Sequence, residues 1–255
     1  MQLQLYQWIL GFSAALFVGI SKTGIPGLGI LVVVLLANVF GGRPSVGIML
    51  PMLISADIFA VTWYRRHCQW NTLIGMLPWV LIGMGCGAAA LWATGRIGAS
   101  RDILNIIIGM LTLGMLGLFY LQKRLSITPR SSVGIVSTGV AAGFATTVSN
   151  AAGPIMSIYL QAHKLNKEQF MGTIAWYFFI INVSKLPIYI LLTLLNPTKP
   201  IITIQSLLFN VLTFPAILAG VFAGKWILPR IPQKTFEIII LALAGISALK
   251  LIFGG

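Results

Sequence analysis

Long apolar stretches separated by short polar breaks run the length of the chain, and ten can be read: about 5–20, 25–40, 46–64, 72–93, 102–121, 132–148, 151–163, 169–195, 203–227 and 235–253. Most approach or exceed the 18 or so apolar residues that cross a hydrocarbon core as a helix. The pattern predicts an all-α, polytopic integral membrane protein. The first two stretches, and again the sixth and seventh, are short. Sixteen or so residues at a rise of about 1.5 Å scarcely cross a core of about 30 Å, so each short pair reads as a broken or re-entrant helical hairpin, followed by three transmembrane helices. Irregular backbone at that depth is tolerated where it lines a cavity or is buried in protein.

The second five stretches repeat the first five in register. At an offset of 125, Gly47 falls on Gly172, Asp57 on Asn182 and Tyr64 on Tyr189; at 137, Pro78 falls on Pro215, Gly83 on Gly220 and Gly87 on Gly224. The added residues lie in one longer loop, Leu194-Leu-Asn-Pro-Thr-Lys-Pro200. This predicts two membrane repeats, 1–128 and 129–255. Whether its hairpin spans or re-enters, each repeat crosses an odd number of times. The second is then inverted relative to the first, and both termini share a side.

Composition agrees: 58% of residues are hydrophobic, 8% are charged and the mean hydropathy is +0.95, far from a soluble domain with about a quarter of its residues charged. The 17 Lys and Arg against 4 Asp and Glu are scattered singly between apolar stretches, which reads as topology and not as a nucleic-acid surface. Arg65, Arg66, Lys123, Arg124, Arg130, Lys164, Lys167, Arg230 and Lys234 fall on one face, against Arg43, Arg96, Arg101 and Lys199 on the other. The richer face is expected in the cytoplasm, with both termini periplasmic or extracellular. Trp63, Trp70, Trp92 and Trp226 near segment ends fit an interfacial belt, whereas Trp176 lies inside a segment. The stretch from Met1 to Val18 has no positive leading region and reads as a retained segment. Four acids and two histidines offer no metal-binding spacing, and Cys68 and Cys86 form no CxxC, so no metal, cofactor or disulfide is expected.

Two interruptions draw attention as chemistry. The first is Gly19-Ile-Ser-Lys-Thr-Gly-Ile-Pro-Gly27, and about 126 residues later comes Ala145-Thr-Thr-Val-Ser-Asn-Ala-Ala-Gly-Pro154. Broken helices in corresponding halves point to a transporter's binding site. In the first, Lys22 with Ser21, Thr23 and Gly24 stands where free backbone N–H groups and a helix dipole favour an anion; a snorkelling lysine is the alternative. In the second, Thr146, Thr147, Ser149 and Asn150 offer donors, or cap helix ends. Lys185 lies mid-segment on one face with Asn182, two residues before Pro187, and a cavity-facing role is favoured over snorkelling. Asp57, matching Asn182, is a candidate coupling residue: it can pair with a lysine, bind a cation or carry a proton. A structural ion pair with Arg65 is the alternative. No hydrolase arrangement is credible with two loop histidines, so the chain is not expected to be an enzyme.

Three motifs, Gly19-Ile-Ser-Lys-Thr-Gly-Ile-Pro-Gly-Leu-Gly29, Gly143-Phe-Ala-Thr-Thr-Val-Ser-Asn-Ala-Ala-Gly-Pro154 and Asn166-Lys-Glu-Gln-Phe-Met-Gly-Thr173, resemble those of the TauE/SafE family of sulfite and organosulfonate exporters. The first departs from the GxGGG-type run of many members. The resemblance implies transport of small sulfur-containing anions such as sulfite or sulfoacetate-like sulfonates. The thiosulfate-importing branch is associated with cysteine motifs that this chain does not display. The expected function is a secondary transporter in the cytoplasmic membrane that exports such an anion. Lys22 and Lys185 would neutralise its charge, and Thr147, Ser149 and Asn150 would donate hydrogen bonds. The alternatives are an importer coupled to protons or sodium and a non-transporting membrane subunit. The expected partners are the anion and the lipid bilayer.

Overall fold

The computed structural model describes residues 4–23, 28–96, 103–124, 132–227 and most of 242–253. The described residues form helices and connecting turns: α1 (Leu5–Thr23), α2 (Leu28–Phe40), α3 (Gly42–Tyr64), α4 (Trp70–Arg96), α5 (Ile103–Arg124), α6 (Ser132–Ser149), α7 (Gly153–Ala162), α8 (Lys167–Leu195) and α9 (Ile204–Ile227), with helical turns near the carboxyl end. These follow the predicted stretches closely, and the described part of the last, 235–253, is helical. Five helices, α1, α3, α4, α8 and α9, are long and apolar enough to cross a membrane.

Burial separates two kinds of apolar helix. On α4, α8 and α9, Leu81, Ile82, Ile190, Leu191, Leu207 and Val211 are exposed, as lipid-facing positions are. The 13-residue α2 instead buries Leu28, Ile30, Val32, Val34 and Leu36 almost completely, and the 10-residue α7 buries Ile155, Met156, Tyr159 and Leu160. Helices apolar on every side belong inside a protein. At about 1.5 Å per residue they are only about 20 and 15 Å long, too short to span the core.

The two halves interleave. α4 lies along α6, α1 lies along α9, and α3 meets α8 between them. Backbones approach so closely that glycine is required. A Cβ at Gly19 would strike the Ile217 carbonyl oxygen, and one at Gly143 would strike that of Val80. Gly143 stands 124 residues after Gly19 and Ile217 stands 137 after Val80, so matching positions make matching contacts. Gly220 against Leu16 and Gly83 against Val140 repeat the relation.

Among the described residues, basic side chains outside the central pair lie toward the ends of the helices; Arg101, Arg130, Arg230 and Lys234 lie outside the described residues. Arg43 at the start of α3 donates from Nε to the Lys199 carbonyl at 2.6 Å and lies against Gly95. At the other end, the 3₁₀ turn Arg65–His67 packs on the start of α8, where His67 Nδ1 lies 3.5 Å from Glu168. Trp176 sits at this second end: its Nε1 donates to the Arg65 carbonyl at 3.4 Å and its ring lies 5.1 Å from that of Trp70. The sequence leaves Trp176 inside a span, but the 29-residue α8 is about 44 Å long and outruns the hydrocarbon core.

Candidate functional site

Four elements converge on the middle of the bundle: the last turn of α1, the α6–α7 break, α3 and α8. Asn150 ends α6 with φ 57°, a left-handed conformation that asparagine tolerates better than most residues. Its N–H bonds to the Thr146 carbonyl and that of Ala151 to the Ala145 carbonyl, the pattern of a helix stop. Asn150 therefore closes α6 and does not cap α7, whose N-cap is Ala152 with no side-chain bond.

A cavity of about 70 Å³ lies here, lined in part by Lys22, Asp57, Thr146, Asn150, Ser157 and Asn182. Lys22 Nζ lies 2.8 Å from Asp57 Oδ1 and 3.9 Å from the centre of the Phe178 ring. The second carboxylate oxygen of Asp57 accepts from Asn182 Nδ2 at 2.6 Å. The Asp57 side chain is fully buried and that of Lys22 is 10% exposed. Asp57 thus pairs with Lys22, neither with Arg65 nor with Lys185.

Lys185 is fully buried, and its ammonium donates to Asn150 Oδ1 at 2.6 Å, Thr146 Oγ1 at 3.0 Å and the Thr146 carbonyl at 3.1 Å. All three of its donors are engaged. It fixes the α6–α7 break, with a further tie from Asn150 Nδ2 to the Val46 carbonyl on α3. Because Thr146 Oγ1 accepts from a cation, its own hydrogen is polarised and free to donate into the cavity.

The other expected residues divide. Ser21 lines the cavity but donates to the Val18 carbonyl. Thr147 and Ser149 donate to carbonyls four residues back, and the Thr147 carbonyl accepts from Tyr189 Oη at 2.8 Å. Thr23 donates to Gly19 and Val221 carbonyls, which ties α1 to α9. These hydroxyls lie at helix ends and hold backbone. Gly24 lies outside the described residues.

Two residues escaped the sequence reading. Ser157 lines the cavity from α7, and its buried hydroxyl has no hydrogen-bond partner among the described residues. One turn past Gly153, it shares that residue's face, a clue that goes unused if α7 is read only as an apolar run. Phe178, one turn before Asn182, faces Lys22; nothing in a helix so rich in aromatics distinguishes it beforehand.

A cavity beside the last turn of α1 and the α6–α7 break, with lysine, hydroxyl and amide donors, is the kind of site a small anion requires. The family model for the sulfite exporter TauE/SafE matches residues 11–251, nearly the whole chain. The chain belongs to that family. No curated protein and no solved structure matches it. Membership in the TauE/SafE family makes this multi-pass protein a membrane transporter of sulfur-containing anions.

Proposed function

We propose that the chain is a secondary exporter of sulfite or a short organosulfonate, which it binds in the cavity between the two helix breaks. The observation that carries this is the donor set at the cavity: Lys22, Thr146 and Ser157 line it together, and the buried Ser157 hydroxyl has no hydrogen-bond partner among the described residues. A buried donor left without a partner is costly. An anion among Lys22, Thr146 and Ser157 takes up these donors. Lys185 holds the Thr146 hydroxyl and Asn150 in place without touching the ligand.

The repeats 1–128 and 129–255 then lie inverted in the membrane, both termini outside, and rocking of the interleaved halves alternates access. No nucleotide-binding motif is legible in the sequence, so ion gradients and the membrane potential supply the energy. A net negative charge leaving a negative-inside cell gains about 2.3 kcal/mol per 100 mV. The experiment is flux from liposomes holding the purified protein, with sulfite, sulfoacetate, thiosulfate and sulfate compared. Sulfite or sulfoacetate is expected to move fastest; if no anion moves, the reading fails.

A further inference from the structure

Lys22 is the sole lysine among the described residues lining the cavity, and it is already paired. Its ammonium touches Asp57 Oδ1 at 2.8 Å, while Asn182 holds the other carboxylate oxygen. Lys185 offers no second contact, since Thr146 and Asn150 take its donors. An anion that reaches Lys22 therefore sets two negative groups against one ammonium, in a place where Asp57 has no exposure to water. Like charges at such range oppose each other strongly, and the usual resolution is that one of them takes a proton. A protonated Asp57 removes the repulsion and turns the Oδ1 side from an acceptor into a donor aimed at the ligand.

Resting on the anion-binding reading above, we propose that Asp57 is a proton site linked to the anion site: one proton binds Asp57 for each anion that displaces it from Lys22. The proton comes from water and forms an O–H bond on the carboxylate; no other bond changes.

The groups around Asp57 leave no better proton carrier. α1 brings Lys22, and α8 brings Lys185 and the neutral Asn182. α2 has no titratable residue. On α9, Lys225 lies over the Trp63 ring, 4.3 Å from its centre, near the end of α3. Arg65, Arg66 and His67 follow that end, two turns beyond Asp57, and Arg43 lies at the opposite end of α3. On α5 the titratable residues Tyr120, Lys123 and Arg124 fall in its last two turns.

The test is proton uptake by the purified full chain in weakly buffered detergent, read with a pH indicator as sulfoacetate is added. Between about pH 6 and pH 9 sulfoacetate itself stays fully ionised. The expected result is about one proton taken up per anion bound at the alkaline end. Affinity there should weaken about tenfold per pH unit. Asp57→Asn and Asp57→Ser should bind without proton uptake and with affinity independent of pH. Binding by the unaltered protein with no uptake and a flat pH profile overturns the linkage and leaves the anion site standing. Uptake that persists in either variant overturns the assignment to Asp57. No binding at any pH overturns both readings.

Discussion

A lysine ammonium inside a membrane protein must find oxygen, and the two lysines at this centre find it differently. Lys185 is satisfied by neutral oxygens of one helix break, while Lys22 is satisfied by a carboxylate and an aromatic face. Their substitutions should therefore differ. Lys22→Met leaves Asp57 buried without its cation, and removing one partner of such a pair costs about 3–5 kcal/mol. Adding Asp57→Asn should restore most of that stability without restoring anion binding, as thermal unfolding in detergent and a binding titration will show. Lys185→Met strands the Asn150 Oδ1 and a Thr146 oxygen, at about 1–3 kcal/mol each. It should weaken anion binding by loosening the break, with a loss of thermal stability that the Asp57→Asn change does not repair. At this scale the sequence was informative about candidates and poor on pairing. Asp57 and Asn182 stood out by register, yet that Lys22 and not Lys185 meets Asp57 follows from how α1 and α8 cross α3, which no spacing encodes.

Among the elements, length and apolar character were legible, because each helix is a continuous run with polar or proline-containing ends. The enclosure of α2 and α7 was legible only as shortness. What packs them inside is the close passage of the longer helices, and that passage depends on glycine. Gly143→Ala places a methyl group against the Val80 carbonyl, backbone that cannot yield without moving α4 from α6. It should lower the melting temperature sharply or prevent a monodisperse preparation. Gly85 has open space around the corresponding position, so Gly85→Ala should be neutral or stabilising by a few tenths of a kcal/mol up to about 1 kcal/mol. The pair, compared by thermal unfolding, separates helix packing from helix propensity. An equal loss in both would mean that the close approach of α4 and α6 does not matter.

Over the whole molecule, the sidedness expected from the basic residues can be tested with the native cysteines. Cys68 is partly exposed in the turn after Arg65–His67, and Cys86 is exposed on the apolar surface of α4. With the richer basic end in the cytoplasm, a membrane-impermeant maleimide should label Cys68 in inside-out vesicles but not in intact cells, and should leave Cys86 in the lipid untouched. Burial raises the Cys68 thiol above its ordinary range, so less thiolate is present at neutral pH and labelling should accelerate as pH rises. Labelling from the outer side would reverse the orientation. The family was visible in the sequence; the interleaving was not, because contacts between α1 and α9 or α4 and α6 join residues far apart in the chain.

The contact between Asp57 and Asn182 joins two residues 125 positions apart, which fall on one another in the proposed repeat. A pair of identical first halves, assembled as separate chains, would set Asp57 against its own copy. Even with a Lys22 from each copy beside them, two carboxylates at that spacing repel, and the contact favours a proton on one of them. Covalent fusion removes this restriction: once both halves belong to one gene, the position facing Asp57 is free to become an amide. A protein rebuilt from two unlinked copies of the first half should therefore assemble more readily in acid than at neutral pH, whereas one copy of each half, expressed as separate chains, should show no such preference.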